Sequence, residues 1–202
     1  IMFGKTLNAG QICLAPDYVV VHKDQKDEFI EETKNAVSEY FPYLKDNEDY
    51  TSVINEKHYD RLKDLLNDAI EKGAKIDEIN PANEDFSQQE FYKIPPTIVT
   101  DTTDDMKIMQ EEIFGPLLPV VEYDEIEEAT TLINSKDRPL GLYYFGTNKS
   151  EEDNLLNKTS SGGVTVNNVI SHLQQNDLSF GGVGPSGMGR YKSFEGFKNF
   201  SN

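Results

Sequence analysis

The chain has 202 residues, 37% of them hydrophobic and 10% aromatic, which is typical of a folded protein with a well-solvated surface. Its 36 acidic and 19 basic residues give a formal net charge of −17, and such a field would repel nucleic acid and anionic membrane surfaces. No stretch approaches the roughly 20 apolar residues of a membrane span, so we expect neither a nucleic acid partner nor a transmembrane segment. The single cysteine cannot form an internal disulfide, which fits a reducing compartment, and we expect a cytoplasmic protein.

The first half of the chain alternates between strand and helix patterns. We predict strands at 17–22, 74–76 and 95–101 and helices at 25–40 and 56–72, with a polar surface loop at 80–91. The run at 17–22 is continuously apolar and β-branched, which favours a strand buried on both faces, as in a parallel sheet. Asp24 and Asn55 are the predicted N-caps of the two helices, and Gly73 is the predicted stop of the second. Prolines at the start of the last strand favour a position near a sheet edge.

The second half continues this alternation. It contains predicted strands at 117–123, 140–145 and 163–167 and predicted helices at 125–135, capped by Asp124, and at 149–157. Strands and helices in alternation indicate βαβ units, so we predict one α/β domain with a mostly parallel, twisted sheet flanked by helices. The chain starts at Ile1 and enters a motif within eight residues, and we therefore expect a piece of a longer protein.

Cys13 lies in a stretch that suits a nucleophile. Small, flexible residues precede it, and Gly10 allows the backbone to approach a bound ligand without a Cβ in the way. Pro16 disfavours helix at the residue before it and so fixes where the turn ends, just before the apolar run. A lone cysteine is more often a small buried hydrophobic residue, and from the cysteine alone this alternative stays open.

The segment 178–190 is rich in glycine. Its residues 182–187 match the G-x-G-x-x-G pattern of dinucleotide-binding folds, but Pro185 lies inside the match and no helical pattern follows. We interpret the segment as a tight loop where backbone passes under a site. Phe180, next to this loop, could line a pocket or pack in the core. The three histidines and the cysteine show no metal-ligand spacing, so no metal site is predicted.

Three separated segments together resemble the aldehyde dehydrogenase family. The first carries the cysteine, the second contains Glu-Glu-Ile-Phe-Gly-Pro, and the third is followed by Phe-Gly-Gly; they are residues 8–13, 109–116 and 161–167 with 180–182. Three further segments, at 15–18, 139–143 and 184–189, resemble the branch that contains the class 3 and coniferyl aldehyde dehydrogenases. The resemblance covers nearly the whole chain and implies the α/β fold of that family's catalytic domain.

The resemblance also implies roles for individual side chains. Cys13, as a thiolate, would attack an aldehyde carbon to form a thiohemiacetal, and hydride transfer to NAD or NADP would leave a thioester that water releases as the acid. Glu112 would bind the ribose next to the nicotinamide, and Phe114 would pack beside the ring. Phe180 and His172 would line the aldehyde channel. In isolation, Glu112 would instead be a solvated surface acid, Phe114 would pack in the core, and His172 would be an ordinary surface or core histidine.

Part of the machinery that the resemblance implies lies upstream of this chain. In the family, the general base, the oxyanion-binding Asn and most of the NAD-binding domain precede the cysteine by more residues than are present here. We therefore expect a catalytic-domain fragment, 1–202, that lacks its cofactor domain and has no turnover alone, and a parent protein that is a homodimer. Two alternatives stay open: a non-catalytic α/β binding or assembly module, and a semialdehyde dehydrogenase that releases its product to CoA instead of water.

Overall fold

A computed structural model describes residues 1–201, which fall into two compact units divided between Glu122 and Tyr123. The first unit contains, in chain order, α1 (Met2–Thr6), β1 (Val19–His22), α2 (Lys26–Tyr40), α3 (Glu56–Glu71), β2 (Lys75–Glu78), β3 (Thr97–Thr100) and β4 (Leu117–Tyr123), whose last residue lies just past the boundary. The second contains α4 (Ile126–Ser135), β5 (Gly141–Tyr144), α5 (Lys149–Lys158), β6 (Gly163–Val166), α6 (Ser171–Gln174) and α7 (Ser193–Asn199). The predicted α/β class is confirmed, and most of the predicted elements agree with the observed ones to within a few residues.

The strands of the first unit form one sheet in the order β1-β4-β3-β2. β3 pairs in parallel with β4, with Thr97 opposite Leu117, and antiparallel with β2, with Thr100 opposite Lys75. β3 is therefore internal, and its predicted position near an edge is wrong, because both prolines precede Thr97 and remove no hydrogen-bond donor from the ladder. The prediction that β1 is buried on both faces is also wrong: its residues are all partly exposed, since it is an edge strand with a neighbour on one side only.

Helices cover both faces of this sheet. Successive side chains of a strand point to opposite faces, so neighbouring residues of β3 and β4 join different clusters. On one face, Val99 and Leu117 pack with three buried side chains of α3, which are Leu62, Leu65 and Ala69. On the other face, Ile98 and Leu118 pack with Val37 of α2. The first unit is thus a layered α/β/α arrangement with its sheet in the middle.

The predicted helix caps have different outcomes. Asn55 caps α3 as predicted, since its side-chain oxygen accepts a hydrogen bond at 3.0 Å from a backbone N–H of the first turn, and Gly73 (φ 96°) lies just past the end of the helix. Asp24 does not cap α2, because residues 23–25 form a short turn of their own and the helix begins only after it. Asp124 does not cap α4 either, because that helix begins one residue later than predicted.

The second unit is built around a parallel strand pair. β5 and β6 run side by side with Gly141 opposite Gly163, and Tyr144 packs with Ile133 of α4 and Leu155 of α5. The helix α7 was not predicted, because seven residues with a glycine among them are too few to show an apolar period. None of the helices within residues 1–201 combines the length and the hydropathy that crossing a bilayer requires.

Candidate active site

Cys13 lies in an exposed tight turn. The Ala15 N–H donates to the Ile12 carbonyl oxygen at 2.9 Å, which closes a turn around Cys13 and Leu14. Leu14 is 2% exposed and anchors the turn, whereas Cys13 is exposed. Within residues 1–201, the Cys13 N–H donates to no protein acceptor. Because Cys13 is exposed among the described residues, the alternative of a buried hydrophobic cysteine is wrong.

The backbone that leads to the cysteine is strained. Residues 8–10 have φ angles of 51°, 53° and 72°, all in the left-handed region that only glycine adopts freely. Gln11 holds this segment in place, because its side-chain amide donates to the Ser52 carbonyl oxygen at 3.0 Å and accepts from the Ile54 N–H at 2.9 Å. The cysteine loop is therefore fixed by a distant segment of the chain rather than by regular secondary structure.

The second motif packs directly against the cysteine loop. A Cβ built on Gly10 would lie 2.3 Å from the Gly115 carbonyl oxygen, so the two backbones meet where only glycine fits. Asp17, shortly after the cysteine, accepts a hydrogen bond from the Ile113 N–H at 3.0 Å across 96 residues of sequence. The structure therefore brings the segment around Cys13 and the Glu-Glu-Ile-Phe-Gly-Pro segment together.

Glu112 and Phe114 flank the buried Ile113, and both are exposed. Phe114 has a φ of 49°, a conformation that bulky residues avoid, and 40% of its surface is exposed. The Glu112 carboxylate has no hydrogen-bond partner among residues 1–201. Desolvation by the surrounding protein, followed by the charge of Asp17, raises the pKa of Glu112, and Arg61 opposes this shift. An unpaired carboxylate and an exposed ring on one turn suit a ligand that has hydroxyl donors and a flat heterocycle.

Two charged residues that the sequence analysis did not single out support this region. Arg61 of α3 donates to the Glu111 carboxylate at 3.0 Å through Nη1 and to the Ile113 carbonyl oxygen through Nη2. Lys5 of α1 is 1% exposed, and burial lowers its pKa to about 8, with the nearby Asp17 carboxylate acting in the opposite direction. The sequence carries no signal that separates Arg61 from the other charges of an amphipathic helix, and Lys5 lies in a helix too short to show a face.

The second unit holds the other two predicted site residues next to each other. The ring centroid of His172 lies 6.3 Å from that of Phe180 and 6.2 Å from that of Tyr143. His172 Nδ1 is 2.8 Å from the Thr165 hydroxyl, while its Nε2 is buried and has no hydrogen-bond partner. Burial lowers the pKa of His172, which favours the neutral ring. These residues form an aromatic cluster with one unused polar atom.

The glycine-rich segment is the tight loop that the sequence predicted. Phe180 and Tyr191 exchange two backbone hydrogen bonds, at 2.8 and 2.9 Å, which closes the loop at its base. A Cβ on Gly182 would lie 2.1 Å from the Ser186 carbonyl oxygen, so the backbone folds onto itself. No helix of the described chain opens directly after residue 187, as a dinucleotide fingerprint would require. Within residues 1–201, the acidic, histidine and cysteine side chains form no group suited to a metal ion.

Comparison with known proteins identifies the relatives of this chain. Residues 1–202 match the model of the aldehyde dehydrogenase family. A probable coniferyl aldehyde dehydrogenase of Caulobacter vibrioides is 58% identical over all of this chain and 42% of its own length. Among solved structures, the substrate-bound state of Staphylococcus aureus AldH matches with a TM-score of 0.88 at 39% identity, over 98% of this chain and 42% of that one. A betaine aldehyde dehydrogenase from Staphylococcus aureus in complex with NAD+ matches with a TM-score of 0.84 at 26% identity, over 98% of this chain and 40% of that one. The chain thus spans about two fifths of the length of these relatives.

Proposed function

The chain belongs to the aldehyde dehydrogenase family, a family of oxidoreductases, and on this premise we propose that it is the cysteine-bearing catalytic part of an NAD(P)+-dependent enzyme that oxidises an aldehyde to a carboxylic acid. The observation that carries the proposal is an exposed Cys13 on a loop that contacts the turn bearing Glu112 and Phe114. Because a relative that is 58% identical is named as a probable coniferyl aldehyde dehydrogenase, coniferyl aldehyde is the first substrate to test.

Cys13 acts as the nucleophile in this proposal. Its thiolate sulfur bonds to the carbonyl carbon of the aldehyde, and the electron pair of the carbonyl moves onto oxygen to give a thiohemiacetal. The unpaired N–H of Cys13 is available to donate a hydrogen bond to that oxyanion. Loss of hydride from the same carbon oxidises the adduct by two electrons to a thioester. Water then cleaves the carbon–sulfur bond, which yields the acid and restores the thiol.

Glu112 and Phe114 fit a nicotinamide cofactor, which when bound accepts the hydride. The Glu112 carboxylate, unpaired among residues 1–201, can accept hydrogen bonds from ribose hydroxyls. The exposed Phe114 ring offers a flat apolar surface on the same turn. In the second unit, His172 and Phe180 are proposed to line the channel for the aldehyde, where an aromatic cluster would pack against a flat substrate.

The remaining parts of the machinery are proposed to lie in the rest of a longer protein. Relatives carry more than twice the length of this chain, since it spans 42% of the Caulobacter vibrioides protein. The general base, an oxyanion-binding Asn and the NAD(P)-binding domain would be supplied there, and residues 1–202 alone would have no turnover. A homodimer and a cytoplasmic location stay predictions.

The proposal is tested on the full-length protein that carries this chain. Cys13→Ser should abolish NADH formation from coniferyl aldehyde while leaving the circular dichroism spectrum unchanged. Iodoacetamide should alkylate Cys13 faster than a model thiol, and NAD+ should change that rate. Slow labelling that is indifferent to NAD+ would favour a non-catalytic module, and acyl-CoA formation in the presence of CoA would identify the acylating alternative.

A further inference from the structure

Ile113 has both of its backbone polar groups held by charged side chains from distant parts of the first unit. Its N–H donates to Asp17 Oδ1 at 3.0 Å, and its carbonyl oxygen accepts from Arg61 Nη2. Hydrogen bonds to charged groups are shorter and stronger than those between neutral groups. The peptide units on the two sides of Ile113 are therefore fixed in orientation, although no helix or strand contains them.

Arg61 reaches over three consecutive residues of this segment. Besides the Ile113 carbonyl oxygen, it donates to the Glu111 carboxylate at 3.0 Å and makes a longer contact of 3.4 Å with the Glu112 carbonyl oxygen. The planar guanidinium offers several donors in a fixed geometry, which a lysine ammonium cannot reproduce. Arg61 thus acts on the backbone of the turn while leaving the Glu112 carboxylate unpaired among residues 1–201.

The conformation held in this way is one that the turn would not adopt alone. The φ of 49° at Phe114 is disfavoured for an aromatic residue and persists only where surrounding contacts determine it. Ile113 itself is fully buried, so it anchors the turn, and its two neighbours project outward. The contacts from Asp17 and Arg61 lie on the anchor and not on the projecting side chains.

Asp17 also connects this turn to the cysteine loop. It follows Cys13 by four residues, and the buried Lys5 ammonium lies close enough to interact with its charge. Desolvation is the main cause of the raised pKa of Glu112, the Asp17 carboxylate acts in the same direction, and Arg61 opposes the shift. The two charged residues therefore affect both the geometry and the protonation of Glu112.

We propose that Arg61 and Asp17 are positioning residues that hold Glu112 and Phe114 in the geometry needed to bind the nicotinamide cofactor. This inference rests on the proposed function, because it assigns the two residues to the cofactor-binding turn of that enzyme. They act through the peptide groups of Ile113, so their loss should weaken cofactor binding more than it changes the intrinsic reactivity of Cys13.

The test measures two quantities for the full-length protein: the Kd for NAD+ by calorimetry, and the rate of Cys13 alkylation by iodoacetamide without cofactor. Arg61→Met should raise the Kd about tenfold, as expected for lost hydrogen bonds to a charged group, and change the alkylation rate by less than about twofold. Arg61→Lys should recover part of the affinity, with a Kd raised about threefold, because the charge is kept but the fork of donors is lost. Asp17→Asn, which keeps an acceptor for Ile113, should also raise the Kd about threefold.

Lys57→Met is the matched control, because Lys57 is an exposed cation on the same helix. A Kd for Arg61→Met within about twofold of this control would overturn the inference. So would a parallel loss of thermal stability, Cys13 reactivity and NAD+ affinity in both Arg61 variants, since that pattern indicates a general structural role. Failure of the unmutated protein to bind either NAD+ or NADP+ would overturn the proposed function itself, and this outcome is distinguishable because it appears before any substitution is made. If the unmutated protein binds only NADP+, the same variants are compared with NADP+.

Discussion

Gly10→Ala should separate the two motifs that meet at the candidate active site. The new Cβ would lie 2.3 Å from the Gly115 carbonyl oxygen and 2.7 Å from its carbon, and both atoms belong to backbone that cannot rotate away. Contacts below 3.0 Å are essentially never seen for a Cβ, so the two segments must move apart by about 0.7 Å or more. Alanine at φ 72° adds a backbone cost of its own.

The magnitude follows from these two contributions. A left-handed alanine costs about 1–2 kcal/mol, and forcing packed backbone apart costs about 1–3 kcal/mol more. Gly10→Ala should therefore lower the free energy of unfolding by roughly 2–5 kcal/mol, measured by urea denaturation. Because a misplacement of about 1 Å can cost about 100-fold in rate, kcat/KM of the full-length enzyme should fall by about two orders of magnitude.

Gly73→Ala is the control that isolates the steric contribution. Gly73 has a φ of 96°, but a Cβ there would meet nothing within 4 Å. Gly73→Ala should therefore lower the free energy of unfolding only by the backbone contribution of about 1–2 kcal/mol, with no change in kcat/KM. If Gly10→Ala lowers the free energy of unfolding and kcat/KM by no more than Gly73→Ala does, the close approach of the two motifs is not what positions the site.

Three further predictions concern hydrogen bonds and protonation. Gln11→Leu removes both side-chain hydrogen bonds to the 52–54 segment and should lower the free energy of unfolding by about 1–3 kcal/mol in urea denaturation. An unchanged midpoint would show that the cysteine loop keeps its conformation without these two bonds. The pKa of Glu112 is raised, and its ionised form is needed as a hydrogen-bond acceptor, so NAD+ affinity should begin to weaken on acidification at a pH above the ordinary glutamate pKa of 4.5. Glu112→Gln should remove this loss of affinity at low pH, as measured by calorimetry at a series of pH values. The pKa of Lys5 is about 8 in the folded chain, against an ordinary value of 10.5, so the unfolded chain binds more protons than the folded chain between these two pH values. The free energy of unfolding should therefore rise with pH across that window by up to about 3 kcal/mol. Lys5→Met should abolish this rise, as measured by urea denaturation at a series of pH values.

Local signals predicted the elements whose cause is local. The helix α3 was predicted with its cap and its stop, because Asn55, the apolar repeat and Gly73 act within a few residues of each other. The order of strands is different, since whether β1 lies at an edge or β3 lies inside depends on segments far away in sequence. The prolines before Thr97 favour a sheet edge when only the sequence is considered, but their effect ends before the strand begins.

The candidate site shows the same difference between features with a local sequence signal and features that depend on distant contacts. The match of the whole chain to the family model confirms the resemblance stated from three short motifs, and a relative named as a probable coniferyl aldehyde dehydrogenase agrees with the predicted branch. The roles assigned to Cys13, Glu112 and Phe114 stay predictions. Asp17 and Arg61 could not have been found, because their contacts to Ile113 span 96 and 52 residues and leave no spacing pattern in the sequence.

The helix α3, which the sequence predicts together with its cap and its stop, supports the turn around Ile113, whose long-range contacts the sequence does not predict. Two successive residues of α3 contact the turn: Arg61 donates to the Ile113 carbonyl oxygen, and the Leu62 side chain fills the space where Gly115 has no Cβ. A Cβ on Gly115 would lie 2.4 Å from Leu62, so this glycine is packed against α3 while its carbonyl oxygen meets Gly10. The cost of a left-handed Phe114 can be sustained there because a capped helix with a buried apolar face, and not the turn itself, supplies the rigidity. Placement of the proposed cofactor-binding side chains therefore depends on the same packing of α3 against the sheet that stabilises the first unit.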